Sequence, residues 1–303
     1  MKRFVPCLLL ACAACGEDPR DFALRFAAVS NGAEVACGTS ITGLGSAGNA
    51  TAQLADLRFY VSNMTLTGED DEPIDLNIII NEFQYNALEG HVALIDLTDT
   101  STGACDTGAI AFPEGTTRVN DAFTARAKVD SVRKISFDVG VPQALMRKVI
   151  AATSEEGAPS PLREMYWSWA SGYRHLVMNA QVETPNGSGE GYVHVGSRDC
   201  GSAGQKALSD RDTCGFINTP RVELEVNGVG NRVIDLNLDV LLADVDFVVP
   251  LRDETMTVIG EAPGIECHSA PSQPDCGAVF ASLGVDIATG ASDASANQVF
   301  SVR

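Results

Sequence analysis

The densest concentration of chemically capable side chains in this sequence is Met165-Tyr166-Trp167-Ser168-Trp169-Ala170-Ser171-Gly172-Tyr173-Arg174-His175, which carries both tryptophans and two of the five tyrosines. Indoles are the most readily oxidised aromatic side chains, so Trp167 and Trp169 offer redox chemistry or an aromatic platform. The competing role is the ordinary one of large aromatics, anchoring a core. In a strand the two indoles share one face, and Tyr166 and Ser168 take the other. Four histidines, His91, His175, His194 and His268, supply the imidazoles that a metal such as copper needs. They are far apart in sequence and act together only if the fold gathers them. A lone strand histidine is otherwise a hydrogen-bonded structural residue. His268, beside Cys267, reads as loop.

Sulfur points to export. Lys2 and Arg3 form a positive n-region, and Phe4 to Ala14 form an apolar run too short to span a bilayer. Cys12 and Cys15 close that run, each in a stretch that resembles a bacterial lipobox. Cys15 is the preferred lipidation site because cleavage before Cys12 leaves too short a leader, although Leu9 suits a lipobox better than Cys12 does. An ordinary secretory signal is the alternative. Setting aside Cys7, Cys12 and Cys15 leaves Cys37, Cys105, Cys200, Cys214, Cys267 and Cys276, an even set that an oxidising compartment would close into three bridges. Proximity favours Cys200 with Cys214 and Cys267 with Cys276, leaving Cys37 with Cys105. A thiolate metal cluster is the other use, but these six contain no CxxC pair.

The elements that must position these groups read as strands. With 45% hydrophobic and 20% charged residues the chain can bury a substantial core. Ala55–Thr67 alternates Leu57, Phe59 and Val61 with polar neighbours, the pattern of a half-buried strand. Ile74–Ile80, His91–Leu97, Val129–Val141, Leu176–Glu183, Tyr192–Gly196, Arg221–Val226 and Val233–Leu238 continue the series, with turn signals between them. Helical spacing is confined to Gln143–Thr153 and Leu238–Val245. These features predict a mainly β chain, an antiparallel sandwich or barrel-like single domain with short helices and disulfide staples. They divide it into a leader over residues 1–14, a tether over 15–21 and one domain over 22–303.

Charge and motif content narrow the function. Formal charge is −19, from 21 basic and 40 acidic residues, and loss of Lys2 and Arg3 with the leader takes the mature chain to −21. Nucleic acid is excluded as a natural partner. A metal cation or a basic protein suits such a surface, as does mere solubility. No Ser-His-Asp order, paired-carboxylate motif or HExxH is present, so the chain does not read as an enzyme.

Asp56-Leu57-Arg58-Phe59-Tyr60-Val61-Ser62, Val92-Ala93-Leu94-Ile95-Asp96-Leu97, Val139-Gly140-Val141-Pro142, Met165-Tyr166-Trp167-Ser168-Trp169, Gly172-Tyr173-Arg174, His194-Val195-Gly196-Ser197 and Cys200, in that order, resemble the MbnP family of periplasmic or surface copper-binding proteins, from about Phe22 onward. The resemblance implies one copper ion and a neighbouring di-haem cytochrome peroxidase, MauG-like or MbnH-like, that oxidises a tryptophan to kynurenine. Trp167 or Trp169 would be the oxidised residue and, through the aniline nitrogen and ketone of its opened ring, would join histidines in holding the copper, with His194 the best-matched histidine. Where family members often carry Asn-His, this chain has Met146-Arg147, and an arginine cannot ligate copper at neutral pH. His175, His91, or a thioether of Met64 or Met146 would then complete the site. The alternative is an envelope binding module that keeps the scaffold without a metal.

Overall fold

The structure is a computed structural model. It describes residues 18–98, 105, 119–128, 131–146, 160–162, 164–167, 172–200, 214–226 and 232–303, and of Trp167 only the main chain. Cys12, Cys15, Arg147 and Trp169 lie outside the described residues.

The long strand Ala50–Thr67 organises the molecule. Its Leu54-Ala55-Asp56-Leu57-Arg58-Phe59-Tyr60-Val61 run sends odd-numbered residues from Leu57 to Val61 to one face and Asp56, Arg58 and Tyr60 to the other. Antiparallel partners flank it: Lys134–Val139, Gly172–Thr184 and Gly90–Asp96. Gly187–Gly196 pairs with Gly172–Thr184, and Arg221–Glu225 with Lys134–Val139. Ile265–Cys267 closes one edge of this eleven-stranded sheet by a parallel pairing with Gly187–Gly196. A six-stranded sheet lies opposite, built on Arg20–Ser30, Val233–Asn237, Phe300–Val302 and Ala122–Ala127. Here Arg20–Ser30 and Val233–Asn237 run parallel. The arrangement is a sandwich and not a closed barrel.

The core between the sheets is held by four edge-to-face phenylalanines. Phe26 meets Phe59 and Phe137 at 5.6 and 5.7 Å, and Phe300 meets the same two at 5.9 and 5.6 Å. Such pairs add stabilisation beyond the area they bury. Three disulfides staple the sandwich: Cys37–Cys105, Cys200–Cys214 and Cys267–Cys276. Among the described residues no helix is long and apolar enough to cross a membrane.

Several sequence expectations change in detail. The central strand is not half-buried: Asp56, Arg58, Tyr60 and Ser62 are buried too. A second apolar cluster, with Leu94, Val141, Leu145, Met146, Leu162, Met165 and Tyr173, covers that side around Tyr60. The strand expected over Val129–Val141 is Lys134–Val139, because Lys134 already stands opposite Thr67 and Glu225, the last residues of its two neighbours. Ile74–Ile80 is not one strand. Pro73–Ile74 joins the large sheet and Asn77–Ile78 the small one, so the chain crosses between layers there. The helix expected at Leu238–Val245 is the single turn Leu238–Leu241. Most of Gln143–Thr153 lies outside the described residues.

Candidate functional site

The outer face of the large sheet, turned away from the phenylalanine core, carries the polar chemistry. His194 stands opposite Val177, and Tyr192 opposite Asn179, on adjacent antiparallel strands. The alternation that sends Val193 and Val195 into the core sends His194 outward, where it is 6% exposed. His194 Nε2 donates to Asn179 Oδ1 at 2.8 Å. Its Nδ1 is thereby left as the acceptor in a 2.9 Å contact with His268 Nδ1. The rings are 4.7 Å apart and nearly perpendicular, and Tyr192 packs beside both.

His268 reaches this position through its neighbours. Ile265 and Cys267 point into the core, so Glu266 and His268 point to the outer face. The Cys267–Cys276 bridge ties off the loop. Gln273 Oε1 accepts from the His268 main chain, and Ser269 Oγ both donates to the His194 carbonyl and accepts from Gly196 N at 2.8 Å. The residue that sequence reading set aside as loop is thus clamped against His194. The available signal was its place in a short disulfide-closed loop.

Burial, then His268, Arg174 and Arg58, hold the His194 pKa well below the ordinary imidazole range. Burial also lowers His268, against the opposing charge of Glu266. Both rings are therefore uncharged at neutral pH, the state in which imidazole is a ligand.

On the same face lies a buried ion pair. Arg58 Nε and Nη2 donate to Asp56 Oδ1 and Oδ2 at 2.8 and 2.5 Å, a two-point contact. Burial opposes the Arg58 charge, but Asp56 and Asp96 outweigh it, and the guanidinium stays protonated. Asp96 stands opposite Arg58 on the neighbouring strand. Burial pushes its carboxyl up to about 7, despite Thr98 N and Arg58. Its Oδ2 finds no hydrogen-bond partner among the described residues.

The other sequence candidates do other work. His175 is fully buried. Its Nδ1 accepts from Val141 N at 3.3 Å and its Nε2 donates to the Ile217 carbonyl at 2.9 Å. Burial pulls it down to about 4. Gly140, at φ +148°, makes room for that ring, since a Cβ there would sit 2.7 Å from His175 Nδ1. His91 Nε2 accepts from Met64 N at 2.8 Å, and its ring packs on Phe123. Met64 packs in the main core and Met146 in the second cluster. Among the described residues no group of three or more His, Cys, Asp or Glu gathers around a common point. The described site is therefore a histidine pair.

The aromatic segment is fastened to the same face. Tyr60 Oη donates to the Pro161 carbonyl at 2.7 Å and accepts from Met165 N at 3.3 Å. Tyr166 and Trp167 then pair with Tyr173 and Gly172. Asn179 and the Asp56–Arg58 pair escaped sequence-based site selection. The signal was polar residues inside strands otherwise apolar enough for a core.

The MbnP family model matches residues 19–259. Among solved structures the chain is similar to MbnP from Methylosinus trichosporium, with 25% sequence identity, a TM-score of 0.64, and coverage of 94% of this chain and 99% of that one. No curated protein sequence matches it. The family match spans most of the chain and the structural likeness nearly all of it, and the protein belongs to the MbnP family.

Proposed function

We propose that this protein is an exported accessory protein, lipid-anchored through Cys15 in the periplasm or at the outer-membrane surface, that binds one copper ion through His194 and His268. The carrying observation is the 2.9 Å between their Nδ1 atoms. Two imidazole nitrogens about 2.0–2.1 Å from one ion and at right angles stand about 2.8–3.0 Å apart, and tetragonal nitrogen donors suit copper(II). Asn179 holds His194 in the tautomer whose Nδ1 carries the lone pair. Bound copper would supply a redox-active cation. The proton that His268 Nδ1 donates to His194 would move to His268 Nε2 or to solvent as copper binds; the protein's part is to keep both rings neutral with their Nδ1 atoms within reach of one ion.

The family resemblance supports a second element, oxidation of Trp167 or Trp169 to kynurenine by a di-haem peroxidase. The Trp167 main chain pairs with Gly172, five residues along the strand from Val177, which faces His194. At about 3.3 Å per residue these positions lie roughly 17 Å apart along the sheet. For Trp167, maturation and copper binding are therefore read separately, whereas Trp169 lies outside the described residues.

Copper titration of the wild type, His194→Ala and His268→Ala tests the metal. One equivalent bound by the wild type and at least a hundredfold weakening in each variant is expected; equal, negligible binding by all three sinks it. Mass spectrometry of the peptide holding Trp167 and Trp169, from protein produced with the peroxidase, tests the oxidation. Two unmodified tryptophans and no copper would leave a metal-free binding module on the same scaffold.

A further inference from the structure

The chain crosses from the large sheet to the small one between Pro73–Ile74 and Asn77–Ile78, and the end of the sandwich there holds a cleft of about 1060 Å³. Glu69, Glu72 and Asp75 line it from the crossing segment, and Arg126 and Lys128 line it from the end of the Ala122–Ala127 strand and just beyond. Asn77 stands opposite Arg126, so the acidic and basic linings meet there. Arg126 Nε donates to Asp21 Oδ1 at 2.8 Å. Glu69, Glu72, Asp75 and Lys128 are exposed, and none of the four makes an ion pair among the described residues. Charges of both signs that are not spent on each other suit a ligand that carries both.

Pro19 also lines the cleft, which ties this end of the molecule to the anchor proposed at Cys15. Four residues span at most about 14 Å when fully extended, so Pro19 stands no farther than that from the acylated cysteine. Arg20–Ser30 then runs away along the small sheet, starting opposite Ala127. A hairpin of Gln84–Ala87 and Gly90–Asp96 turns at the same end. Gly90–Asp96 and Pro73–Ile74 both pair with the central strand on the edge opposite Lys134–Val139, with Val92 facing Ser62 and Ile74 facing Leu66. The turn of the hairpin therefore points toward the cleft end, and Leu88 within it is the most exposed large hydrophobic side chain among the described residues. An uncovered leucine at the anchored end is placed to enter a lipid interface.

Chemistry selects the lipid. The acidic lining repels an anionic headgroup. A primary ammonium donates up to three hydrogen bonds, which Glu69, Glu72 and Asp75 can accept, and the adjoining phosphate suits Lys128 and Arg126. A quaternary ammonium donates none and is held by aromatic faces instead, and no aromatic side chain lines the cleft.

We infer that this cleft is the membrane-facing site of the protein and takes the headgroup of an ethanolamine phospholipid, with Leu88 inserted among the neighbouring lipids. The inference rests on the lipid anchor of the proposed function and on none of its copper chemistry.

The test places the mature acylated protein in nanodiscs of phosphatidylcholine, alone or with half of it replaced by phosphatidylethanolamine or phosphatidylglycerol, and follows hydrogen exchange by mass spectrometry. Exchange over residues 68–77 should be at least fivefold slower in the ethanolamine discs than in choline alone. Lys128→Glu, and Glu72→Lys on the opposite lining, should each abolish that difference. Leu88→Asp should lose the protection of residues 84–90 that the discs confer over detergent. All three substituted residues are exposed, and thermal melting checks that each variant keeps the wild-type fold. The same exchange in all three discs overturns the site while leaving the anchor in place. Slowing in the phosphatidylglycerol discs instead assigns this end to an anionic lipid and overturns the inference. Equal slowing in detergent by free glycerophosphoethanolamine assigns the cleft to a soluble ligand and overturns its membrane role. The mass of the N-terminal peptide is read from the same preparation, and an unacylated Cys15 overturns the anchor and this inference with it.

Discussion

Asn179 Oδ1 accepts from His194 Nε2 at 2.8 Å, across the register of two adjacent strands, and this one bond decides which nitrogen of His194 faces His268. Partners of this kind set the tautomer and aim of a ligating imidazole. Asn179→Leu should cost about 1–3 kcal/mol, because a buried N–H loses its acceptor. Copper affinity should fall about 10- to 100-fold. Calorimetric copper titration beside denaturant unfolding separates the two effects. Unchanged copper affinity would show that Asn179 does not position the ligand.

The histidines give the protein a pH-dependent stability. Burial pulls His175 down to about 4, below its unfolded value of about 6.5. A depressed imidazole leaves the unfolded state holding more protons, so its contribution is complete above about pH 6.5 and is lost as pH falls toward 4. Asp96 has the opposite sign. Its carboxyl, pushed up to about 7 by burial, favours the folded state at low pH and loses that contribution as pH rises through about 7. Between pH 7 and 4.5 His175 alone should account for about 2–3 kcal/mol of lost stability. Urea unfolding of wild type and His175→Gln at both pH values checks this: the loss on acidification should shrink by that amount in the variant. An equal loss in both would assign the acid sensitivity to other groups.

Arg58 lies between Asp56, which it contacts at two points, and Asp96, its cross-strand neighbour. Removing the guanidinium strands two buried carboxyl groups, a loss of about 3–5 kcal/mol. Arg58→Met should therefore unfold at markedly lower denaturant at pH 8. At pH 5 the penalty should be smaller, because an unpaired buried carboxyl takes up a proton. A penalty equal at both pH values would mean that Asp96 does not depend on Arg58 for its charge.

The sequence revealed most of the frame. Leu57, Phe59 and Val61 alternate as an inward face must, and the Cys200–Cys214 and Cys267–Cys276 pairs bracket stretches rich in Gly, Ser, Asp and Pro. The burial of Tyr60 was not legible, because its cover comes from Val141, Leu145, Met146, Leu162 and Met165, far along the chain. The His194–His268 contact was hidden for the same reason. A parallel strand pairing and a disulfide deliver His268, and neither leaves a local period. The Val248–Pro263 hairpin leaves Val248, Leu251, Met256, Val258 and Ile259 exposed, so its pattern announces no core face.

Two of the disulfides should separate stability from metal binding. Cys37 and Cys105 are 68 residues apart, whereas Cys267 and Cys276 are 9 apart. Loop-closure entropy then assigns about 4 kcal/mol to the first bridge and about 2.6 kcal/mol to the second. Only the second adjoins a metal candidate, because Cys267 precedes His268 and its loop supplies Gln273 to the His268 main chain. Cys37→Ser/Cys105→Ser should lose more in denaturant midpoint yet bind copper as the wild type does at 25 °C while folded. Cys267→Ser/Cys276→Ser should lose less stability but bind copper at least tenfold more weakly, since His268 is freed to move away from His194. Paired unfolding curves and copper titrations decide it. If both variants lose copper affinity in proportion to their stability, the short bridge serves the fold and not the histidine pair.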